Sequence, residues 1–145
     1  MMQLQYDMVK GSRQVLLDYC ATLSDAHFLQ PCEGFGRGGS IRNLLVHICN
    51  TYQGWIGQDA LQQELPFTPY EQVQNIDDAR QLFAEINLLL ADFFARYPDP
   101  QARIGDSTAL ELFTHVITHE FHHKGQILSI SRHWGHIPVD TDIKR

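Results

Sequence analysis

Four long stretches of this sequence carry their apolar side chains at the i, i+3, i+4, i+7 spacing of an amphipathic helix, and no stretch shows the alternation of a half-buried strand. The first places Met8, Val9, Val15, Leu16, Tyr19, Cys20 and Leu23 on one stripe, which predicts a helix over roughly residues 3–23. The second opens at Ser40, a residue type that caps helix N-termini. It continues through Ile41, Leu44, Leu45, Ile48, Tyr52, Trp55 and Ile56 to about residue 63, and Pro66 and Pro69 close it. The third runs from Ala79 to Tyr97 behind the acidic turn Asp77-Asp78, which complements the positive helix end, and Pro98 and Pro100 stop it. The fourth begins with the capping box Thr108/Glu111 and reaches about Trp134, where Gly135 and Pro138 end it. Between the first two, Ser24 to Gly39 gathers Pro31, Gly34, Gly36, Gly38 and Gly39 and reads as a loop.

Four one-sided apolar faces can be hidden from water only against one another. The expected fold is therefore all-α, a four-helix bundle. A length of 145 residues suits one domain spanning residues 1–145, and no repeat or linker divides it. A net charge of −6 supplies no field to draw in phosphate backbones or anionic lipid, so neither nucleic acid nor membrane is an expected partner. The opening Met1 to Asp7 has no basic or apolar stretch of a secretory signal. The three cysteines, Cys20, Cys32 and Cys49, form no CxxC pair, and the cytoplasm is the expected compartment.

Chemistry is concentrated in the histidines. Of the eight, five lie on the fourth helix. On a helical wheel His119 and His123 fall at the edge of the apolar arc, whereas His115 and His122 fall on the polar side. An i, i+4 separation stacks two imidazoles on one face, where they can share a metal ion. A third ligand has to come from another helix. His47 is the only histidine on the second, and its wheel position beside the apolar stripe permits convergence without requiring it. Three imidazoles would leave coordination positions open, as catalytic sites do. His27, His115, His122, His133 and His136 read as polar rim residues.

The segments Leu44-Leu45-Val46-His47 with Trp55 behind it, and His119-Glu-Phe-His-His123-Lys-Gly125-Gln126, resemble the two signature segments of the DinB/YfiT-like family. The resemblance spans essentially the whole chain. It implies a bundle in which a divalent metal ion, zinc or nickel, is held by His47, His119 and His123. Members often have arginine where this chain has Lys124, a departure outside the ligand set. Some members resemble transferases or isomerases that use a low-molecular-weight thiol such as bacillithiol, mycothiol or glutathione, so the resemblance carries fold and site further than substrate.

Two other motifs compete. His119-Glu120-Phe121-His122-His123 spells the HExxH of zinc proteases, in which the glutamate is the general base. The extended protease form needs glycine at position 126 and histidine at position 129, where this chain has Gln126 and Ser129, so Glu120 reads better as a partner supporting the ligands. Gly34-Phe-Gly36-Arg-Gly-Gly39 spells GxGxxG, but a dinucleotide site needs a strand before it and a helix stands there. The segment reads as a flexible connection near the site, with Arg37 or Arg42 available to a substrate carboxylate. Cys49, two residues from His47, faces away from it. The leading expectation is a metal-dependent thiol S-transferase acting on a small thiol and an electrophile. A hydrolase using activated water, and a non-catalytic metal- or ligand-binding bundle that dimerises through an exposed helix face, are the alternatives.

Overall fold

The computed structural model describes residues 1–145. Its elements in chain order are α1 (Met2–Cys20), α2 (Asp25–Leu29), α3 (Ile41–Tyr52), which continues into a π-helical stretch (Gln53–Ala60), then α4 (Ile76–Arg96), β1 (Arg103–Ile104), β2 (Ser107–Thr108) and α5 (Ala109–His133). In the bundle α3 packs against α4 and α5, and α1 packs against the same two, so α1 and α3 sit on one diagonal, α4 and α5 on the other. One continuous core runs between them, with Leu16, Ile41, Leu44, Tyr52, Leu90, Phe93 and Phe113 fully buried. No helix is long and apolar enough to cross a membrane.

Local chemistry accounts for most of the boundaries. The Ser40 side chain accepts from the Asn43 amide, and Asn75 caps α4 through the Asp78 amide. The Thr108/Glu111 capping box is fully formed.

Three features depart from the sequence reading. The predicted loop holds the short helix α2, because Ser24 accepts from the His27 amide and Phe28 is buried. The second helix does not run as α-helix to residue 63. From Gln53 it widens to the π form, with Leu61 N–H donating to the Ile56 carbonyl, while the chain beyond it folds back and sets Leu65 against Gly57. A Cβ on Gly57 would lie 2.8 Å from Leu65 Cδ1, so glycine is what permits the approach. The third departure is the hairpin, in which Arg103 pairs with Thr108 and Ile104 with Ser107 around Gly105. A ladder of two residues a side is too short to show alternation in sequence.

The buried face of α1 also differs from the expected stripe. Met8 is exposed, whereas Ser12 and Arg13 are buried with Val9, Leu16 and Leu17. A buried guanidinium demands an anion, and the anion is on α5.

Candidate metal centre

The packing of α3 against α5 brings His47 to the pair His119 and His123. His119 Nε2 lies 3.1 Å from His47 Nε2 and 3.0 Å from His123 Nε2, and the candidate ligand atoms of the three residues all lie within 4.8 Å of one another. Imidazole nitrogens bound to one ion at the usual 2.0–2.1 Å would be separated by about 2.9 Å at right angles and about 3.4 Å at the tetrahedral angle. The two measured separations fall inside that interval, so the three residues fit a shared divalent ion.

Protonation points the same way. Burial, then the nearby charges of Arg37 and His123, lower the His47 pKa to about 4. Burial, then His123 and His47, bring His119 down to about 3. His123 is lowered too, chiefly by burial, against an opposing hydrogen bond with Gln126. All three rings are thus neutral near pH 7, the state in which imidazole ligates metal. The Gln126 side-chain oxygen lies 2.6 Å from His123 Nδ1 and accepts its proton, which leaves the Nε2 lone pair turned to the cluster. On His119 the same choice leaves the proton on Nδ1, a buried atom without a partner. Thr51, one turn beyond His47, donates to the His47 carbonyl and sits 3.4 Å from His119 Nε2.

A cavity of about 420 Å³ opens beside His47, between the π-helical stretch and the segment that folds back over it. Arg37, Trp55, Asp59, Phe67 and Tyr70 line it with His47. The larger cavity, about 540 Å³ between α1 and α4, contains none of the three histidines.

The remaining candidates separate. Arg37 reaches the cavity, but Arg42 does not, because its guanidinium donates to the Val73 carbonyl and ties α3 to the segment before α4. Cys49 is fully buried and burial pushes its thiol pKa up, so it takes no part. His115 is exposed and sits edge-on to Trp55, and His27 and His136 hydrogen-bond to each other far along the chain from the trio.

Glu120 makes no hydrogen bond to the imidazoles, and its carboxylate is taken up by other partners. It is completely buried further into the core-facing side of α5, where Arg13 Nε and Nη2 donate to it at 2.9 and 2.7 Å, the Tyr52 hydroxyl at 2.6 Å, and Lys124 Nζ lies 3.2 Å away. Burial alone would raise its pKa, but Arg13 above all, with Lys124 and Tyr52, holds it at about 2. Lys124 also donates to Ser12. Sequence reasoning did not assemble this network, although Glu120 lies within the apolar arc of its helix. That position was the available signal, since a carboxylate there must find cations.

No curated protein matches the sequence. The family model described as DinB family matches residues 1–145, the whole of the chain, and the three-histidine cluster sits on its bundle. The chain belongs to the DinB family.

Proposed function

We propose that this bundle is a metal-dependent thiol S-transferase, in which His47, His119 and His123 hold one divalent ion, zinc or nickel, beside the cavity that receives the reactants. The observation that carries the reading is the set of three neutral imidazoles, its Nε2 atoms 3.0 and 3.1 Å apart, at the wall of a 420 Å³ cavity. A divalent ion in that ligand set supplies the Lewis acidity that keeps a thiol deprotonated near neutral pH.

The chain's own residues do the rest. Gln126 fixes the His123 tautomer, and the buried Tyr52–Glu120 hydrogen bond braces α3 to α5, the two helices that carry the ligands. Trp55 and Phe67 give the cavity aromatic walls that hold an apolar reactant and limit water. A divalent ion can itself lower the pKa of bound water, and a nearby general base would add to a hydrolase's rate. Glu120 is committed to Arg13, and Asp59, the carboxylate in the cavity, stands twelve residues beyond His47, about three helical turns away. That disposition favours a reaction in which the nucleophile arrives on the substrate.

The test is turnover with a thiol panel that includes bacillithiol, mycothiol and glutathione and a soft electrophile. The zinc- or nickel-loaded protein accelerates S-conjugation, the His123→Ala protein does not, and thiol addition changes the visible spectrum of cobalt-loaded protein. A panel that produces neither turnover nor spectral change sinks the transferase reading.

A further inference from the structure

Arg37 is an exposed cation at the edge of the candidate metal centre. It lines the cavity that His47 borders. None of the ion pairs of the fold involves it, and its guanidinium makes no hydrogen bond. The backbone nevertheless holds it there deliberately. Arg37 adopts a φ of 60°, a left-handed conformation that costs a non-glycine residue about 1 kcal/mol or more. Asn43 Nδ2 anchors the strained residue by donating to its carbonyl at 2.8 Å. A strained, anchored, unpaired cation beside a divalent-ion site is electrostatically sensible once an anion lies between the two charges.

Resting on the reading above, we propose that the second reactant is a small carboxylate with an aromatic-sized apolar body, its carboxylate on the Arg37 guanidinium and its body against Trp55 and Phe67. Both aromatic side chains are largely exposed, at 42% and 56%, and both face this cavity, so they offer surface that an apolar group would cover. Arg37 matches a carboxylate because its planar fork of donors can take both oxygens, and such charge-assisted pairs are about twice as strong as neutral ones. Asn50 and Gln58 on the same wall are occupied in part elsewhere, by the Thr68 and Leu65 carbonyls, which leaves Arg37 as the cation of the lining, with Asp59, twelve residues beyond His47, as its one carboxylate.

The experiment measures, by calorimetry on metal-free and zinc-loaded protein, the affinities of 3-phenylpropanoate and its neutral isostere 3-phenylpropanamide. The acid is expected to bind roughly tenfold or more tightly than the amide, the gain of one charge-assisted contact. Arg37→Gln brings the acid to the level of the amide and leaves the amide unchanged, with Arg37→Lys between. Because the Arg37 side chain makes no contact that folding needs, the melting temperatures of these variants stay at the wild-type value, and this is measured alongside. Equal affinities for acid and amide, an acid affinity unaffected by Arg37→Gln, or no binding of either probe below about 10 mM overturns the proposal. Zinc titration of the same samples keeps the two readings apart. Loss of the acid preference with zinc binding intact removes the carboxylate pocket alone, and absence of zinc binding with the preference intact in metal-free protein removes the metal reading alone.

Discussion

Replacing Glu120 with Gln takes one negative charge out of a fully buried site and leaves its volume unchanged, so the cost is electrostatic. The native carboxylate serves two cations, Arg13 and Lys124, whose side chains are 3% and 1% exposed. Removing one member of a buried ion pair typically costs about 3–5 kcal/mol. Here the substitution strands two cations at once, which places Glu120→Gln in the upper half of that range, about 4–5 kcal/mol. A domain of this kind has only about 5–15 kcal/mol in total. The order among the three partners follows from the same arithmetic. Arg13→Met leaves Glu120 balanced by Lys124 and loses four hydrogen bonds, two to Glu120 and one each to Tyr6 and Asn87, for about 3 kcal/mol. Lys124→Met leaves the bidentate Arg13–Glu120 pair intact and costs the least. In the Lys124→Met background only one cation is stranded, so Glu120→Gln then costs less than it does alone. Urea unfolding near neutral pH reads all four values, with unchanged slopes confirming the same transition. A Glu120→Gln protein within about 1 kcal/mol of wild type, or Lys124→Met as the most damaging change, would refute the reasoning.

Three further outcomes are expected. The Glu120 carboxyl is held at about 2 in the fold, below the roughly 4.3 of an unfolded chain, so its contribution is complete above the unfolded value and drains away as pH falls toward 2. The loss is about 3 kcal/mol, seen by denaturant titration at descending pH, and the Glu120→Gln protein lacks that slope. Gly39→Ala destabilises by more than about 1 kcal/mol, because Gly39 has a φ of +62° and a Cβ there would meet the Cys32 carbonyl oxygen. Gly34→Ala shares the positive φ without the clash, so the melting temperature falls further for Gly39→Ala, and equal falls would contradict the packing. Thr108→Ala removes half of the capping box of α5 and lowers stability by about 1 kcal/mol in the same urea assay, whereas no change would mean the box contributes nothing.

The long helices were legible because each buries a stripe that repeats with the helical period, and because Ser40 and Thr108 announce two of the starts. What was not legible depended on partners distant in sequence. The π-helical stretch answers to the chain that folds back over Gly57, and α2 is too short for periodicity and rests on one cap and Phe28. Arg13 is absent from the apolar stripe of the first helix, and its burial depends on Glu120, 107 positions away, which supplies its anion. Arg42 and Arg37 were equally available to the cavity by sequence, and Val73 claims the first. For the histidines, the i, i+4 pair was visible as a pair. The wheel only allowed His47 to join it, and the packing of α3 on α5 brings the rings together.

The central claim is that these three imidazoles act as one ligand set, and zinc titration of the purified protein against its single-alanine variants tests it most directly. The account predicts one ion per chain for wild type and for His115→Ala, whose ring lies against Trp55 outside the cluster, and a loss of at least tenfold in affinity for each of His47→Ala, His119→Ala and His123→Ala. Equal zinc affinity in all four variants, or none in the wild type, would contradict it.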